Sequence, residues 1–237
     1  FAHAVAPAEA GQALEIAPPV LNLTADPGQV INAEIALRDV SPTSLVVTSE
    51  VNDFTADPDA ENGSPKILLD TNERTPYSLI DWVSPLPKMT LKSKQVENLP
   101  VKITVPKNAA PGGYYGTIRF TAKAPDMQET GVSLSASLGA LLMVRVNGDA
   151  KESMTVSEFS VTKDGTKGWL FDSLPITFTE RVKNEGNVFE QPRGNIILKN
   201  LFGQTIANIN VNLESRNVLP SSIRKFEQEF TAHDLGN

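Results

Sequence analysis

Residues 103–118 read Ile-Thr-Val-Pro-Lys-Asn-Ala-Ala-Pro-Gly-Gly-Tyr-Tyr-Gly-Thr-Ile. Apolar and polar residues alternate up to Val105, which is the period of a half-buried strand. Pro106 ends that strand because proline has no N–H to donate to a ladder. The glycines after Pro111 supply a turn with open φ, and a second strand restarts on Tyr114. The stretch therefore predicts a corner between two strands of an all-β domain.

The same alternation continues toward the N-terminus, and no long amphipathic helix pattern interrupts it. Turn-rich segments such as Asp26-Pro27-Gly28 separate the apolar runs. About seven to nine strands over this part of the chain is the count expected of an immunoglobulin-like β-sandwich. The strand candidates are residues 14–16, 20–23, 30–37, 45–54, 67–69, 79–83 (a strand or one helical turn), 89–91, 99–105, 114–122 and 132–146.

A polar hinge, Asn147-Gly148-Asp149-Ala150, separates this part from a second series of shorter strands. Residues 184–187 and 202–204 have the composition of hairpin turns. The second strand candidates are residues 154–161, 176–182, 195–198, 205–213 and 222–230. The sequence thus predicts an all-β chain of two tandem immunoglobulin-like β-sandwich domains, residues 14–147 and 151–237, after a flexible arm or signal-peptide remnant over residues 1–13.

Composition narrows the function classes. The formal net charge of -7 and the lack of a basic run argue against a nucleic-acid partner. The chain has 0 cysteines, which excludes disulfides, thiolate metal sites and cysteine nucleophiles. No apolar stretch is long enough to span a membrane as a helix. These observations favour a secreted binding or structural module.

The first residues suggest export. Phe1-Ala2-His3-Ala4 and Ala8-Glu9-Ala10 are small-x-small sequences of the kind that precede signal-peptidase cleavage. An Ala-rich arm is the alternative. Residues 14–16 either add as a donated strand to a neighbouring subunit or pair within their own sheet, and we expect the second.

Two turn motifs precede the corner at residues 103–118 in the sequence. Pro27-Gly28-Gln29 precedes a strand, and Asn62-Gly63 lies in the following loop. Over residues 14–230 the chain resembles the bacterial WxL-interacting proteins, in which a peptidoglycan-binding domain precedes a second immunoglobulin-like domain. The resemblance implies a non-enzymatic protein at the cell surface or cell wall, with peptidoglycan or another surface protein as its partner in adhesion.

Four aromatic residues are candidates for a glycan-binding or partner-binding face in the first domain: Tyr77, Trp82, Tyr114 and Tyr115. Aromatic rings with polar neighbours form the usual platform for a sugar ring. The alternative is core packing, and adjacent residues of a strand place one ring inside and the other outside.

A polar loop supplies candidate ligands for Ca²⁺, because Asp57, Asp59 and Glu61 stand at alternate positions. The EF-hand pattern then fails, since its sixth position is Asn62 and its twelfth is Leu68. A solvated acidic turn is the alternative. No other cofactor is expected.

Catalytic motifs are lacking in the sequence. The two histidines, His3 and His233, lie near opposite termini, and no serine stands in a Gly-x-Ser-x-Gly elbow. We therefore predict a protein that is not an enzyme. A stalk or filament subunit that self-associates through sheet edges or a donated N-terminal strand is the alternative function.

Overall fold

The computed structural model describes residues 14–57, 60, 62–70, 72–124, 137–200 and 202–232. The predicted arm over residues 1–13, both histidines, Asp59, Glu61 and the start of the predicted strand at 132–136 lie outside these residues. The helical content of the described residues is one 3-10 turn, Ile80–Trp82. Everything else that is regular is strand, so the chain is all-β as predicted.

The chain divides into two compact units. The first reaches to Phe54 and includes Ile67–Ala110 and Tyr114–Asn147. The second includes Thr55–Lys66, Pro111–Gly113 and the chain from Gly148 onward. The strands, in chain order, are β1 Leu14–Ala17, β2 Val20–Ala25, β3 Val30–Asp39, β4 Leu45–Asn52, β5 Phe54–Ala56, β6 Pro65–Ile67, β7 Met89–Leu91, β8 Val96–Thr104, β9 Gly112–Lys123, β10 Ser137–Val146, β11 Met154–Lys163, β12 Thr166–Lys167, β13 Ile176–Asn184, β14 Gly194–Lys199, β15 Thr205–Val211 and β16 Ile223–Phe230.

The first unit is a sandwich of two sheets, ordered β1-β3-β8 and β2-β10-β9-β4-β7. Alternation decides which side chains fill it. On β8, Leu99, Val101 and Ile103 are buried, and the residues between them are exposed. β3 pairs with β8 from Val30↔Thr104 to Arg38↔Val96 and contributes Ile35 and Leu37 to the same core. The apolar faces of both sheets therefore meet, as in an immunoglobulin-like sandwich.

The corner predicted at residues 103–118 has the expected form. β8 ends at Thr104, and Val105 beyond it is buried. β9 begins at Gly112, whose φ of 147° is open to glycine and rare for other residues. The Tyr114 hydroxyl donates to the Ala110 carbonyl oxygen at 3.1 Å and so ties the restarted strand to the turn.

The second unit packs a four-stranded sheet, β12-β11-β13-β16, against the pair β14-β15. Its core is mixed aromatic and aliphatic, with Phe178, Phe226 and Phe230 facing Ile196 and Val218. Both units are thus immunoglobulin-like sandwiches, and the predicted fold class is confirmed.

One predicted hairpin is wrong. β13 ends at Asn184, and the next strand, β14, lies in the other sheet. The buried Asn184 amide donates to the carbonyl oxygens of Val188, at 2.8 Å, and Val218, at 2.9 Å, and accepts from the Gly186 N–H at 2.8 Å. These bonds hold a crossing between sheets, which a turn composition alone does not distinguish from a hairpin.

Candidate partner-binding edge in the first unit

The N-terminal strands of the first unit contribute to both of its sheets. β1 pairs antiparallel with β3, as expected for residues 14–16, whereas β2 pairs parallel with β10. Pro18 and Pro19 lie between β1 and β2. The chain thus leaves one sheet and enters the other at the two prolines, where no backbone N–H is available for a ladder.

β2 covers only part of β10. Their register runs from Leu141↔Val20 to Val146↔Ala25. The Leu141 N–H donates to the Pro19 carbonyl oxygen at 2.9 Å, and this bond closes the pairing. β10 itself begins four residues earlier, at Ser137. On the β2 side, residues 137–140 have no strand partner within the part of the chain that the structure describes.

The strand geometry identifies the groups that face this open edge. Backbone N–H and C=O groups of alternate residues point to the same side of a strand. Since the Leu141 N–H faces β2, the backbone groups of Gly139 and Ser137 face that side too. The Ala140 carbonyl oxygen points the other way and accepts a hydrogen bond from the Thr117 hydroxyl on β9, at 3.2 Å. Among the described residues, the backbone groups of Ser137 and Gly139 that face this side have no strand partner.

The two residues whose backbone groups face this edge are small. Ser137 is exposed, and Gly139 has no side chain to screen its backbone. A Cβ at Gly139 would lie 3.1 Å from the Thr117 hydroxyl oxygen and 3.7 Å from the Ile67 Cδ1. Alternate residues Leu138 and Ala140 pack toward the core and hold the strand in place. Residues 137–140 are called the β10 edge below.

The four aromatic candidates occupy two separate clusters. The ring of Tyr115 is buried, 4% exposed, and packs edge-on against Phe54, at 6.1 Å between centroids, and Tyr77, at 6.0 Å. Trp82 and Tyr114 are in contact, with centroids 4.3 Å apart and ring planes tilted by 42°, and both are half-buried against the core. The structure thus places Tyr115 inside. A binding face formed by Tyr77, Trp82 and Tyr114 stays a prediction.

The acidic loop is described in part. The Asp57 N–H donates to the Ser64 carbonyl oxygen at 2.9 Å, while Asp59 and Glu61 lie outside the described residues. The neighbouring Asp53 carboxylate is buried and accepts from the Thr75 N–H at 2.6 Å and the Ser78 hydroxyl at 2.8 Å. The described residues contain no group of three His, Asp or Glu placed to hold a metal. The Ca²⁺ site stays a prediction.

No model of a protein family matches the chain, and no curated protein matches it in sequence. Solved structures with a similar course of the chain include the chaperone DraB of E. coli, with 15% identity and a TM-score of 0.44 over 94% of this chain and 93% of that one. The chaperone–tip subunit pre-assembly complex CsuC–CsuE of Acinetobacter baumannii has 14% identity and a TM-score of 0.46, over 93% of this chain and 89% of that one. The class 5 fimbriae chaperone CfaA has 14% identity and a TM-score of 0.46, over 94% of this chain and 87% of that one.

This result corrects the expected family. The similar solved structures described above are fimbrial chaperones, whereas the sequence motifs suggested WxL-interacting proteins. Those motifs were turn sequences, which any β-sandwich needs at its corners, so they could not separate one family of sandwiches from another. Since the TM-scores given above are all below 0.5, we assign no function to the chain from these similarities.

The sequence also contained an unused signal for the β10 edge. Ala17-Pro18-Pro19 stands between two strand candidates, and a proline pair interrupts any continuous ladder. This pattern indicates a strand that changes sheets. The pattern does not show which residue of β10 lies opposite the start of β2, because that pairing joins residues more than a hundred positions apart in the chain.

Proposed function

We propose that the chain is a non-enzymatic binding protein whose first unit takes up an extended segment of another protein at the β10 edge. The incoming segment adds a strand to the five-stranded sheet in line with β2. The observation that supports this proposal is the incomplete cover of β10, which β2 pairs only from Leu141 onward. An unpaired strand edge is the feature that β-strand addition uses.

The edge geometry fits a flexible segment better than a folded surface. Ser137 and Gly139 offer two sets of backbone groups at alternate residues, which a strand satisfies with matching spacing. The absence of a side chain at Gly139 lets another backbone approach closely. Main-chain bonds of this kind supply affinity with little sequence preference, so specificity comes from side chains that flank the edge.

The expected location of this activity is outside the cytoplasm, as the first residues suggest. The partner we propose is another exported or surface protein, and nothing in the described structure supports peptidoglycan as the ligand. Among the described residues, no helix combines the length and apolar character needed to cross a bilayer. A second copy of this chain is the competing partner, because an open edge also pairs with itself.

The test removes one donor from the edge. Ser137→Pro deletes an N–H that faces the open side, at the first residue of a strand, where proline is tolerated. The matched control, Ser137→Ala, removes the hydroxyl and keeps the N–H. Decapeptides selected from a random phage-displayed library on the immobilised protein serve as the probe, and their affinity for each variant is measured by calorimetry.

We expect selected peptides to bind the native protein and Ser137→Ala alike, and to bind Ser137→Pro at least about tenfold more weakly. They should also slow amide hydrogen exchange over residues 137–140. Equal binding by Ser137→Pro, or protection confined to another strand, would overturn the proposal. Dimers that disappear in Ser137→Pro, with no peptide selected, would favour self-association instead.

A further inference from the structure

The second unit exposes large apolar side chains on two of its turns. Trp169 is 91% exposed, Leu170 is 79% exposed and Phe202 is 90% exposed. Trp169 and Leu170 lie between β12 and β13, and Phe202 lies in the turn between β14 and β15. These three residues are called the apolar tip below. Single exposed apolar residues are ordinary, but a group of them marks an interaction site.

Strand register puts both turns at the same end of the unit. β11 pairs with β13 up to Thr162↔Thr177, so the loop that follows β11 lies at that end. Gly194 and Val211 line a cavity with Met154, which starts β11 at the opposite end. β14 extends about 17 Å from Gly194. Its turn with β15 therefore reaches the end that carries Trp169 and Leu170.

Both turns are held by contacts of their own. In the first, Phe171 and Leu174 pack inward against the core, and the Gly168 N–H donates to the Val161 carbonyl oxygen at 3.0 Å. In the second, the Asn200 side-chain oxygen accepts from the N–H groups of Phe202, at 2.9 Å, and Gln204, at 3.0 Å. The exposed side chains are thus presented by hydrogen-bonded turns, and in the first of them Phe171 and Leu174 are partly buried.

The charges around the tip are nearly balanced. The positive charges there are Lys163, Lys167 and Lys199, and the negative charges are Asp164 and Asp172. Lys163 forms an ion pair with Asp172 at 3.3 Å. An acidic or basic macromolecule has little to recognise there. The whole chain carries a formal charge of -7, which opposes approach to an anionic surface. The ligand that fits is apolar and carries no net charge.

We propose that the apolar tip inserts into the interfacial region of a zwitterionic lipid bilayer. Trp169 and Phe202 are 91% and 90% exposed, and Leu170 borders a shallow depression with Phe171. A protein partner would need a surface matched to both turns, whereas a bilayer accepts the side chains without shape complementarity. Trp169 is the residue type that prefers the boundary between headgroups and acyl chains, since its ring is apolar and its N–H is polar. This inference concerns the second unit and is independent of the function proposed for the first.

The test uses phosphatidylcholine vesicles and a matched pair of leucines. Leu170 and Leu213 are each 79% exposed, and Leu213 follows β15 at the opposite end of the unit. We expect Leu170→Ser, like Phe202→Ser, to lower the vesicle partition coefficient about tenfold, because each loses one buried apolar side chain. Leu213→Ser should leave it unchanged. Thermal unfolding checks that each variant folds.

Depth of insertion gives a second readout. The chain has 2 tryptophans, so Trp82→Phe leaves Trp169 as the only tryptophan, which is excited selectively at wavelengths that tyrosine does not absorb. Its fluorescence should shift to the blue on vesicles and be quenched by brominated acyl chains. Failure to bind vesicles, equal losses in Leu170→Ser and Leu213→Ser, or unquenched emission would overturn the proposal. Dimers that the tip variants abolish without any vesicle binding would overturn it in favour of a second copy.

Discussion

The two units use the same fold with different completeness. In the first, three-stranded and five-stranded sheets enclose Phe120, Leu142 and Ile103 with 0% exposure. In the second unit, the β14-β15 pair covers a four-stranded sheet, and Phe178 and Phe226 keep 5% and 6% of their surface exposed. The narrower cover explains why the second unit also exposes Phe159. A cover of only two strands is too narrow to bury every apolar residue of the four-stranded sheet.

This difference predicts the largest effect for the deepest side chain. Phe120→Ala should lower the free energy of unfolding of the first unit by about 3–5 kcal/mol, because its cavity is closed on all sides. Phe178→Ala should cost the second unit about 3 kcal/mol, at the lower end of that range, since its neighbour Phe159 can move into the space. In a Trp169→Phe background, Trp82 emission during urea unfolding follows the first unit, and hydrogen exchange of β13 follows the second. Equal losses would contradict the contrast in packing.

A medium effect is expected where the first unit leaves no room for a methyl group. At Gly116 an added Cβ would lie 2.9 Å from the Leu79 Cδ1, and Leu79 is itself fully buried. Gly116→Ala should therefore cost about 1–3 kcal/mol by overpacking. The control is Gly194→Ala on β14, where nothing lies within 4 Å of the added atom. A loss in the control as large as in Gly116→Ala would show that backbone freedom, not space, is responsible.

The smallest effect concerns a half-buried acid of the second unit. Burial raises the pKa of Glu180 above its usual range. The folded protein then holds this proton more tightly than the unfolded chain, so stability falls as pH rises through the raised pKa. Glu180→Gln should raise the melting temperature at neutral pH, and the gain should vanish in acid, below about pH 4. Circular dichroism during heating measures both values.

The matched control for this acid is Glu229→Gln, which makes the same chemical change at an exposed position of β16. We expect its melting curve to follow the native protein at each pH. A gain for Glu180→Gln that persists in acid would show that the effect comes from packing of the amide and not from the proton.

Local pattern predicted the strands well because period-two alternation is set by the core that each strand faces. Residues 30–37 were predicted as a strand, and β3 runs Val30–Asp39 with Ile35 and Leu37 in the core. The corner at residues 103–118 was also predicted, since proline and glycine impose their backbone conformations locally.

Sheet membership could not be predicted in the same way. Asn184 ends a strand whose successor is in the other sheet, and β2 pairs with a strand far away in the chain. Alternation shows which face of a strand is buried. It does not show which other strand lies beside it in the sheet. For the same reason, aromatic composition suggested a site, while the β10 edge depends on where a distant partner stops.

The proline pair before β2 determines where the chain changes sheets, and it also determines how much of β10 is left uncovered. Because β2 begins at Val20 opposite Leu141, the uncovered part of β10 is as long as the distance from Ser137 to that point. Moving the prolines two residues along the chain would lengthen or shorten the uncovered part by the same number, with the side chains still facing the same way. Evolution can thus adjust how much partner backbone the sheet accepts through changes in a segment that the partner does not touch.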